Sequence, residues 1–125
     1  MVFWGSWCGP YMAEALHERP LAERYKGRPF TMLGINVDKT AVDARKAIDA
    51  EKMAWPHLFD GDHATGRVVE RYNVASYPMM YVIDAAGIIR SKGHYLPDMI
   101  DPIIEQLVKE QEARLGAEKP ATSSP

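Results

Sequence analysis

The feature of this sequence that most constrains its fold is the regular alternation of short apolar runs with helical patterns. The two strongest runs, residues 30–37 (FTMLGINV) and 79–84 (MMYVID), have the composition of strands buried on both faces. Helices are predicted between and around them, over residues 10–26, 41–53, 64–72 and 97–115. Strands that alternate with helices pair in parallel through right-handed crossovers.

Shorter extended segments complete the predicted sheet. Residues 1–4 (MVFW) are typical of the end of a buried strand, and residues 55–59 (WPHLF) form a short extended piece. Residues 88–91 follow a tight turn and return beside residues 79–84, which predicts an antiparallel hairpin. The order β-α-β-α-(β)-α-β-β-α therefore predicts a three-layer α/β/α fold. Its mixed central sheet has parallel strands and a C-terminal antiparallel hairpin.

Length and local composition predict the domain boundaries. The 125 residues are enough for one domain with its own core. We expect the domain to span residues 1–115 and the polar residues 116–125 (GAEKPATSSP) to form a disordered tail. The first strand has few residues before its loop, against about five or six in an average strand. This predicts that the domain lacks an upstream strand, so the absence of an export signal does not indicate the compartment.

Charge and cysteine content exclude several function classes. The net charge of −2 provides no basic surface for nucleic acid. No apolar run approaches the roughly 18 residues that span a bilayer. Cys8 is the single cysteine of the chain, so neither an intrachain disulfide nor a thiolate zinc site can form. The histidines lack metal-ligand spacing on one helix, and we expect neither a metal nor a cofactor. The oligomeric state stays open.

Cys8 lies between a predicted strand end and a predicted helix start. Backbone N–H groups and the helix dipole favour an anion at such a position, which predicts a reactive thiolate. The alternative is a buried core thiol, the usual state of a lone cysteine. Gly9 and Pro10 let the chain turn and open the helix. Of the flanking tryptophans, Trp4 is expected in the core and Trp7 on the surface beside Cys8.

Two segments resemble landmarks of the thioredoxin superfamily. Residues 3–10 (FWGSWCGP) look like the active-site strand and loop of thioredoxins, and residues 74–84 (VASYPMMYVID) resemble the cis-proline segment with its following strand. The separation between these landmarks is longer than in plain thioredoxin, because it holds an additional helix and an extended piece. That insertion is similar to the TlpA/ResA-type branch of exported bacterial thiol-disulfide oxidoreductases. The resemblance covers roughly residues 2–110 and implies a thioredoxin-like fold.

The resemblance implies a role for each landmark. Cys8 is the expected catalytic nucleophile, and Tyr77 and Pro78 are expected to line the substrate groove, with the backbone of Tyr77 pairing with the substrate. The implied active-site loop further consists of Trp7, Gly9, Pro10 and Tyr11. The implied partners are protein or low-molecular-weight thiols and disulfides, and the implied location is exported or periplasmic.

Three positions depart from the patterns of related families. Tyr11 stands where the second cysteine of Cys-x-x-Cys belongs, so no internal thiol can resolve a mixed disulfide. Val2 stands where thioredoxin carries a buried aspartate, and Asp38 is either a nearer carboxylate or, as we favour, a turn former at a strand end. Peroxiredoxins place Thr or Ser three residues before their reactive cysteine, and Gly5 at that position disfavours a peroxidase.

Two functions remain in competition. The first is a thiol-disulfide oxidoreductase that acts through Cys8 alone and relies on an external resolving thiol. The second is a redox-inactive thioredoxin-fold module that binds protein within a larger protein. A hydrolase with a Cys-His dyad has no support near Cys8. We expect His57, His63 and His94 in turns, exposed to solvent rather than catalytic.

Overall fold

The computed structural model describes residues 1–9, 21–94 and 97–118. Its five strands are β1 (Val2–Trp4), β2 (Gly34–Asn36), β3 (His57–Phe59), β4 (Met79–Ile83) and β5 (Ile89–Gly93). Its helices are α1 (Ala41–Ala50), α2 (Arg67–Arg71) and α3 (Pro97–Glu118), and residues 21–24 are also helical. No helix in these described ranges is long and apolar enough to cross a bilayer.

The strands form one mixed sheet in the order β3-β2-β1-β4-β5. β1 pairs in parallel with β2, and β2 pairs in parallel with β3. β4 is antiparallel to both β1 and β5, and Phe3 at the centre of β1 lies opposite Ile35 on one side and Met79 on the other. The predicted mixed sheet and C-terminal hairpin are confirmed.

Alternate residues of β1 contribute to two separate apolar clusters, because successive side chains of a strand point to opposite faces. Trp4 joins the larger cluster with Ile104 of α3. Phe3 joins the smaller cluster with Tyr81 and with Val69 of α2. Helices therefore cover both faces of the sheet, as the predicted α/β/α layering requires.

β2 is shorter than the predicted strand over residues 30–37. A strand is defined by its neighbours, and both β1 and β3 contribute three residues to the pairing with β2. Before that ladder begins, the Leu33 carbonyl accepts a hydrogen bond of 2.9 Å from the Val2 N–H. Residues 30–33 therefore lead directly into β2, but they are not part of the strand.

Side-chain capping fixes where the first two helices begin. Thr40 caps α1, and its hydroxyl accepts from the Asp43 N–H at 3.2 Å. α2 begins at Arg67 rather than at the predicted residue 64. The reason is the Asp60 carboxylate, which accepts hydrogen bonds of 3.0–3.1 Å from the N–H groups of residues 68 and 69 and so ties the first turn to the end of β3.

α3 is longer than predicted, because it continues past Leu115 through Gly116 to Glu118. One glycine costs a helix about 1 kcal/mol relative to alanine, which a helix this long can absorb. Arg28 also binds the C-terminal half of α3, donating from Nη2 to Glu112 at 2.9 Å. Of the predicted helix over residues 10–26, residues 10–20 lie outside the described part of the chain, as do residues 119–125 of the predicted tail.

An apolar cavity of about 400 Å³ lies where β1 begins. Its walls come from the start of β1, residues 29–33, β4 and α3, and include Met80 and Val108. β1 runs from this cavity toward Cys8. The cavity and the cysteine loop are therefore at opposite ends of the sheet.

Candidate functional site

Cys8 lies at the C-terminal end of β1, one residue before the helical residue 9. The chain from Gly5 to Cys8 forms a tight turn, in which the Cys8 N–H donates to the Gly5 carbonyl at 2.9 Å. The turn leaves Cys8 with 5% of its surface exposed. The thiol thus stands where the sequence placed it, between a strand end and a helical residue, and it is largely covered.

A buried carboxylate holds the cysteine loop through hydrogen bonds to Ser6. Asp38, 2% exposed, accepts from both the N–H and the hydroxyl of Ser6, the hydroxyl at 2.7 Å and the N–H at 3.1 Å. The Asn36 side-chain amide donates to the same carboxylate at 2.7 Å, and its oxygen accepts from the Asp38 N–H at 2.9 Å. Asp38 thereby fixes the residue two positions before Cys8.

This network corrects the interpretation of Asp38 as a turn former. The carboxylate acts across the sheet rather than within its own turn, since β1 and β2 pair Trp4 with Asn36 and bring the two strand ends together. Val2, which occupies the position of the thioredoxin aspartate, is buried in the apolar core. The structure therefore has a buried carboxylate near the loop, supplied from the neighbouring strand.

Trp7 is the exposed wall of the site. Half of its surface, 51%, is open to solvent, whereas Trp4 is fully buried, as predicted for both. The indole folds back over Gly5, where an added Cβ would lie 2.5 Å from the Trp7 Cε2. A side chain at position 5 would therefore displace the indole.

Tyr77 and Pro78 pass beside the loop. Extending the antiparallel pairing of Phe3 with Met79 puts Pro78 level with residue 4 and Tyr77 level with residue 5. The Tyr77–Pro78 peptide bond is cis and Pro78 is buried. The Tyr77 and Trp7 rings meet edge to face, with centroids 5.5 Å apart. The structure thus brings together the two predicted segments.

His63 adds a third ring, and Trp7, His63 and Tyr77 are named the ring cluster below. The His63 ring centroid lies 5.3 Å from that of Trp7 and 6.1 Å from that of Tyr77. His63 is in a turn and exposed, as predicted, but its contact with the site was missed. Burial raises the pKa of the Tyr77 hydroxyl, and the nearby Asp60 charge raises it further. That hydroxyl is buried and has no hydrogen-bond partner among the described residues.

His57 contradicts its predicted place in a solvated turn. It is a residue of β3, partly buried, with its ring against Trp4 and Trp55 at centroid distances of 5.5 and 5.7 Å. Its Nε2 lies 3.3 Å from the Met53 carbonyl. Burial lowers the pKa of His57, and the bond to Met53 opposes that effect. His57 therefore belongs to the packing beneath Trp4.

The remaining residues of the predicted active-site loop are Gly9, Pro10 and Tyr11. Pro10 and Tyr11 lie outside the described residues. Gly9 is exposed, and an added Cβ there would meet no atom within 4 Å. Across residues 1–9, 21–94 and 97–118, no group of three or more His, Cys, Asp or Glu side chains is placed to hold a metal ion.

Comparisons with known proteins agree with this geometry. Residues 1–92 match the model of the AhpC/TSA family. The thiol-disulfide oxidoreductase ResA of Bacillus thuringiensis is 22% identical over 107 residues, which are 84% of this chain and 60% of that protein. The thioredoxin-like protein YneN of Bacillus subtilis is 28% identical over 91 residues, covering 70% of this chain and 51% of YneN. The chain thus spans about half to three fifths of the length of these relatives.

The fold also matches solved structures. A thiol-disulfide oxidoreductase from Bacteroides fragilis superposes with a TM-score of 0.76 at 23% identity, covering 85% of this chain and 78% of that one. StoA from Bacillus subtilis superposes with a TM-score of 0.66 at 17% identity, covering 79% and 75% of the two chains. These likenesses show the thioredoxin-like α/β fold.

Proposed function

Since this chain belongs to the AhpC/TSA family and its relatives are ResA-like thiol-disulfide oxidoreductases, we propose that it carries out thiol-disulfide exchange through Cys8 alone, with an external resolving thiol. The observation that carries the proposal is the position of Cys8. It lies at the end of β1, in a loop fixed by Asp38 and faced by the Tyr77–Pro78 segment. Gly5 stands where a peroxiredoxin carries Thr or Ser, and a side chain at this position would displace the Trp7 indole.

The proposed reaction begins with the Cys8 thiolate. Its sulfur attacks one sulfur of a substrate disulfide, a new S–S bond forms, and the other substrate sulfur leaves as a thiolate with the electron pair of the old bond. Because the chain has one cysteine, the second exchange needs a thiol from elsewhere. A low-molecular-weight thiol, a partner protein or the substrate's own second cysteine can supply it, and Cys8 then returns to the thiolate.

The substrate is proposed to lie along the Tyr77–Pro78 segment. Cys8 is 5% exposed, so its sulfur is more readily reached by an extended segment than by a rigid, convex surface. Trp7 and Tyr77 flank the path to it. In this proposal the backbone of Tyr77 pairs with the substrate, and Gly9, Pro10 and Tyr11 complete the loop.

The test is capture of the first product. Purified protein is incubated with glutathione disulfide, and its intact mass is followed with time. We expect one glutathione per chain, released by added thiol, and none with the Cys8→Ser variant. The rate of alkylation of Cys8 by iodoacetamide is then measured against pH. A midpoint at or above about 8.5, where a free thiol titrates, contradicts the proposal, as does the absence of any adduct.

A redox-inactive binding module is the second candidate. The near-complete burial of Cys8 and the tyrosine at position 11 favour it. In that case the groove beside Tyr77 binds a partner without exchange chemistry. Partner binding measured by calorimetry then survives the Cys8→Ser substitution unchanged, whereas a covalent complex that disappears in this variant supports the oxidoreductase.

A further inference from the structure

The turn after β3 forms a second surface beside the cysteine loop. It carries His63, whose ring faces both Trp7 and Tyr77. His63 also lines a cavity of about 240 Å³, formed further by residues 64–66, Val69, Glu70, Asn73 and Val74. The ring cluster and this cavity therefore share a wall, and the cavity lies next to the path to Cys8.

The charged side chains of the described segments nearest the site are carboxylates. Four segments surround the site, namely residues 2–9, 34–38, 57–66 and 74–80. Together they contain three aspartates and no lysine or arginine. Of the three, Asp62 lies beside the ring cluster, and its negative charge repels an approaching carboxylate.

The cavity continues the same charge pattern. Its acidic lining residue is Glu70 of α2, accompanied by the polar Asn73. The two arginines of that helix, Arg67 and Arg71, are not among its lining residues. A carboxylate and an amide at the wall of a small cavity suit a side chain that carries several N–H donors.

The ring cluster also favours a cation. The open face of Trp7 attracts a guanidinium or an ammonium group through the charge distribution of its π system. Asp62 stands behind His63, with its Oδ1 3.3 Å from the His63 Nδ1.

We propose that the ring cluster and the adjoining cavity form a subsite for an arginine or lysine side chain that neighbours the substrate's disulfide-bonded cysteine. This inference rests on the exchange reaction proposed for Cys8. The aliphatic part of the side chain crosses the Trp7 indole, and its charged end lies near Glu70. A glutamate in the same place meets the carboxylates of Asp62 and Glu70, and so slows the reaction.

The test compares matched peptide disulfides. Three peptides differ only in the residue beside their cysteine, which is Arg, Gln or Glu, and each carries 5-thio-2-nitrobenzoate as a mixed disulfide. Cys8 forms the bond to the peptide sulfur, and the coloured thiolate leaves. We expect the rates to fall in the order Arg, Gln, Glu, with about a tenfold span at low salt that shrinks as salt rises.

Two variants locate the effect. Glu70→Gln and Asp62→Asn keep the shape of each side chain and remove its charge, so each should reduce the ratio of the Arg rate to the Glu rate by about threefold. Glu110→Gln, on an exposed position of α3, makes the same charge change elsewhere and should leave the ratio unaltered. Circular dichroism verifies that each variant is folded.

The outcomes separate this inference from the proposed function. If Cys8 reacts with none of the three peptides, the exchange reaction itself is wrong. If it reacts with all three at equal rates, exchange stands and the cationic subsite is wrong. An Arg preference that Glu70→Gln and Asp62→Asn leave intact, or that Glu110→Gln reduces equally, also overturns the subsite.

Discussion

The two ends of the sheet are built by different means. At the cysteine end, buried polar groups define the geometry, with Asp38 gripping Ser6 and Asp60 tying α2 to β3. At the opposite end, apolar side chains of β4 and α3 surround a cavity of about 400 Å³. One end is held by directional hydrogen bonds, and the other by apolar contacts around a large cavity.

The difference shows how the fold divides its tasks. Hydrogen bonds to a buried carboxylate depend on direction and hold a loop in one geometry, which a nucleophile needs. Apolar contacts are non-directional and tolerate small changes of shape. We therefore expect substitutions at the cysteine end to be costly and to alter the reactivity of Cys8. Substitutions at the cavity end should change stability alone.

The largest effect is expected from Asp38→Ala. It leaves the Ser6 and Asn36 donors without their acceptor and should lower the free energy of unfolding by about 3 kcal/mol. Urea denaturation measures this loss. Asp49→Ala, at an exposed position of α1, is the matched control and should stay within about 0.5 kcal/mol of the parent. Equal losses in the two variants would show that the hydrogen bonds of Asp38 do not stabilise the cysteine end.

A smaller loss is expected from Gly5→Ala. The added methyl group overlaps the Trp7 indole, so the variant should lose about 1 kcal/mol and shift the indole away from Tyr77. Thermal unfolding measures the loss of stability, and the rate of Cys8 alkylation shows whether the loop has moved. Gly9→Ala, with open space around the added Cβ, is the control for a glycine substitution in the same loop. A parent-like Gly5→Ala variant would show that Trp7 is not held.

Adding one methylene at each end tests packing directly. Val108 lines the large cavity, so Val108→Ile should fill part of it and raise the free energy of unfolding by about 0.5–1 kcal/mol. Val37 is fully buried near the cysteine loop and does not line that cavity, and Val37→Ile should lower stability by a similar amount. Chemical denaturation measures both changes in the free energy of unfolding. Changes of the same sign in the two variants would contradict the proposed difference between the two ends of the sheet.

The smallest effect concerns pH. Burial holds the pKa of His57 below its ordinary value, so as pH falls the unfolded chain takes up this proton before the folded chain does. The His57 contribution to stability is therefore intact above about pH 6.5 and declines as pH falls through the lower folded-state pKa. Urea midpoints between pH 7.5 and 5 should fall less for His57→Gln than for the parent. His63→Gln is the control, and equal pH dependence in parent and His57→Gln would count against this.

Much of the fold followed from local patterns. Alternating apolar runs and helical patterns predicted the strands, their order and the hairpin, because each depends on short stretches of chain. Strand ends were less accurate. The predicted strand over residues 30–37 became β2 (Gly34–Asn36), since its extent depends on how long its neighbours are. Local sequence carries no such information.

The site, too, could be predicted only in part from the sequence. The resemblance located Cys8, Trp7 and Tyr77, and the structure brings Trp7 and Tyr77 into contact. The role of Asp38 was missed because Ser6 lies 32 residues away, and only the pairing of β1 with β2 joins them. The contact of His63 with the ring cluster needs three separate segments to converge, and a spacing rule cannot detect that.

The placement of the tryptophans gives the protein a built-in optical reporter. Trp4 and Trp55 are buried far more deeply than Trp7, which is half exposed and adjacent in sequence to Cys8. Indole emission responds to water and is quenched by a nearby disulfide. A change in fluorescence on forming a mixed disulfide should therefore come mainly from Trp7. The occupancy of Cys8 could then be followed in real time, without a label.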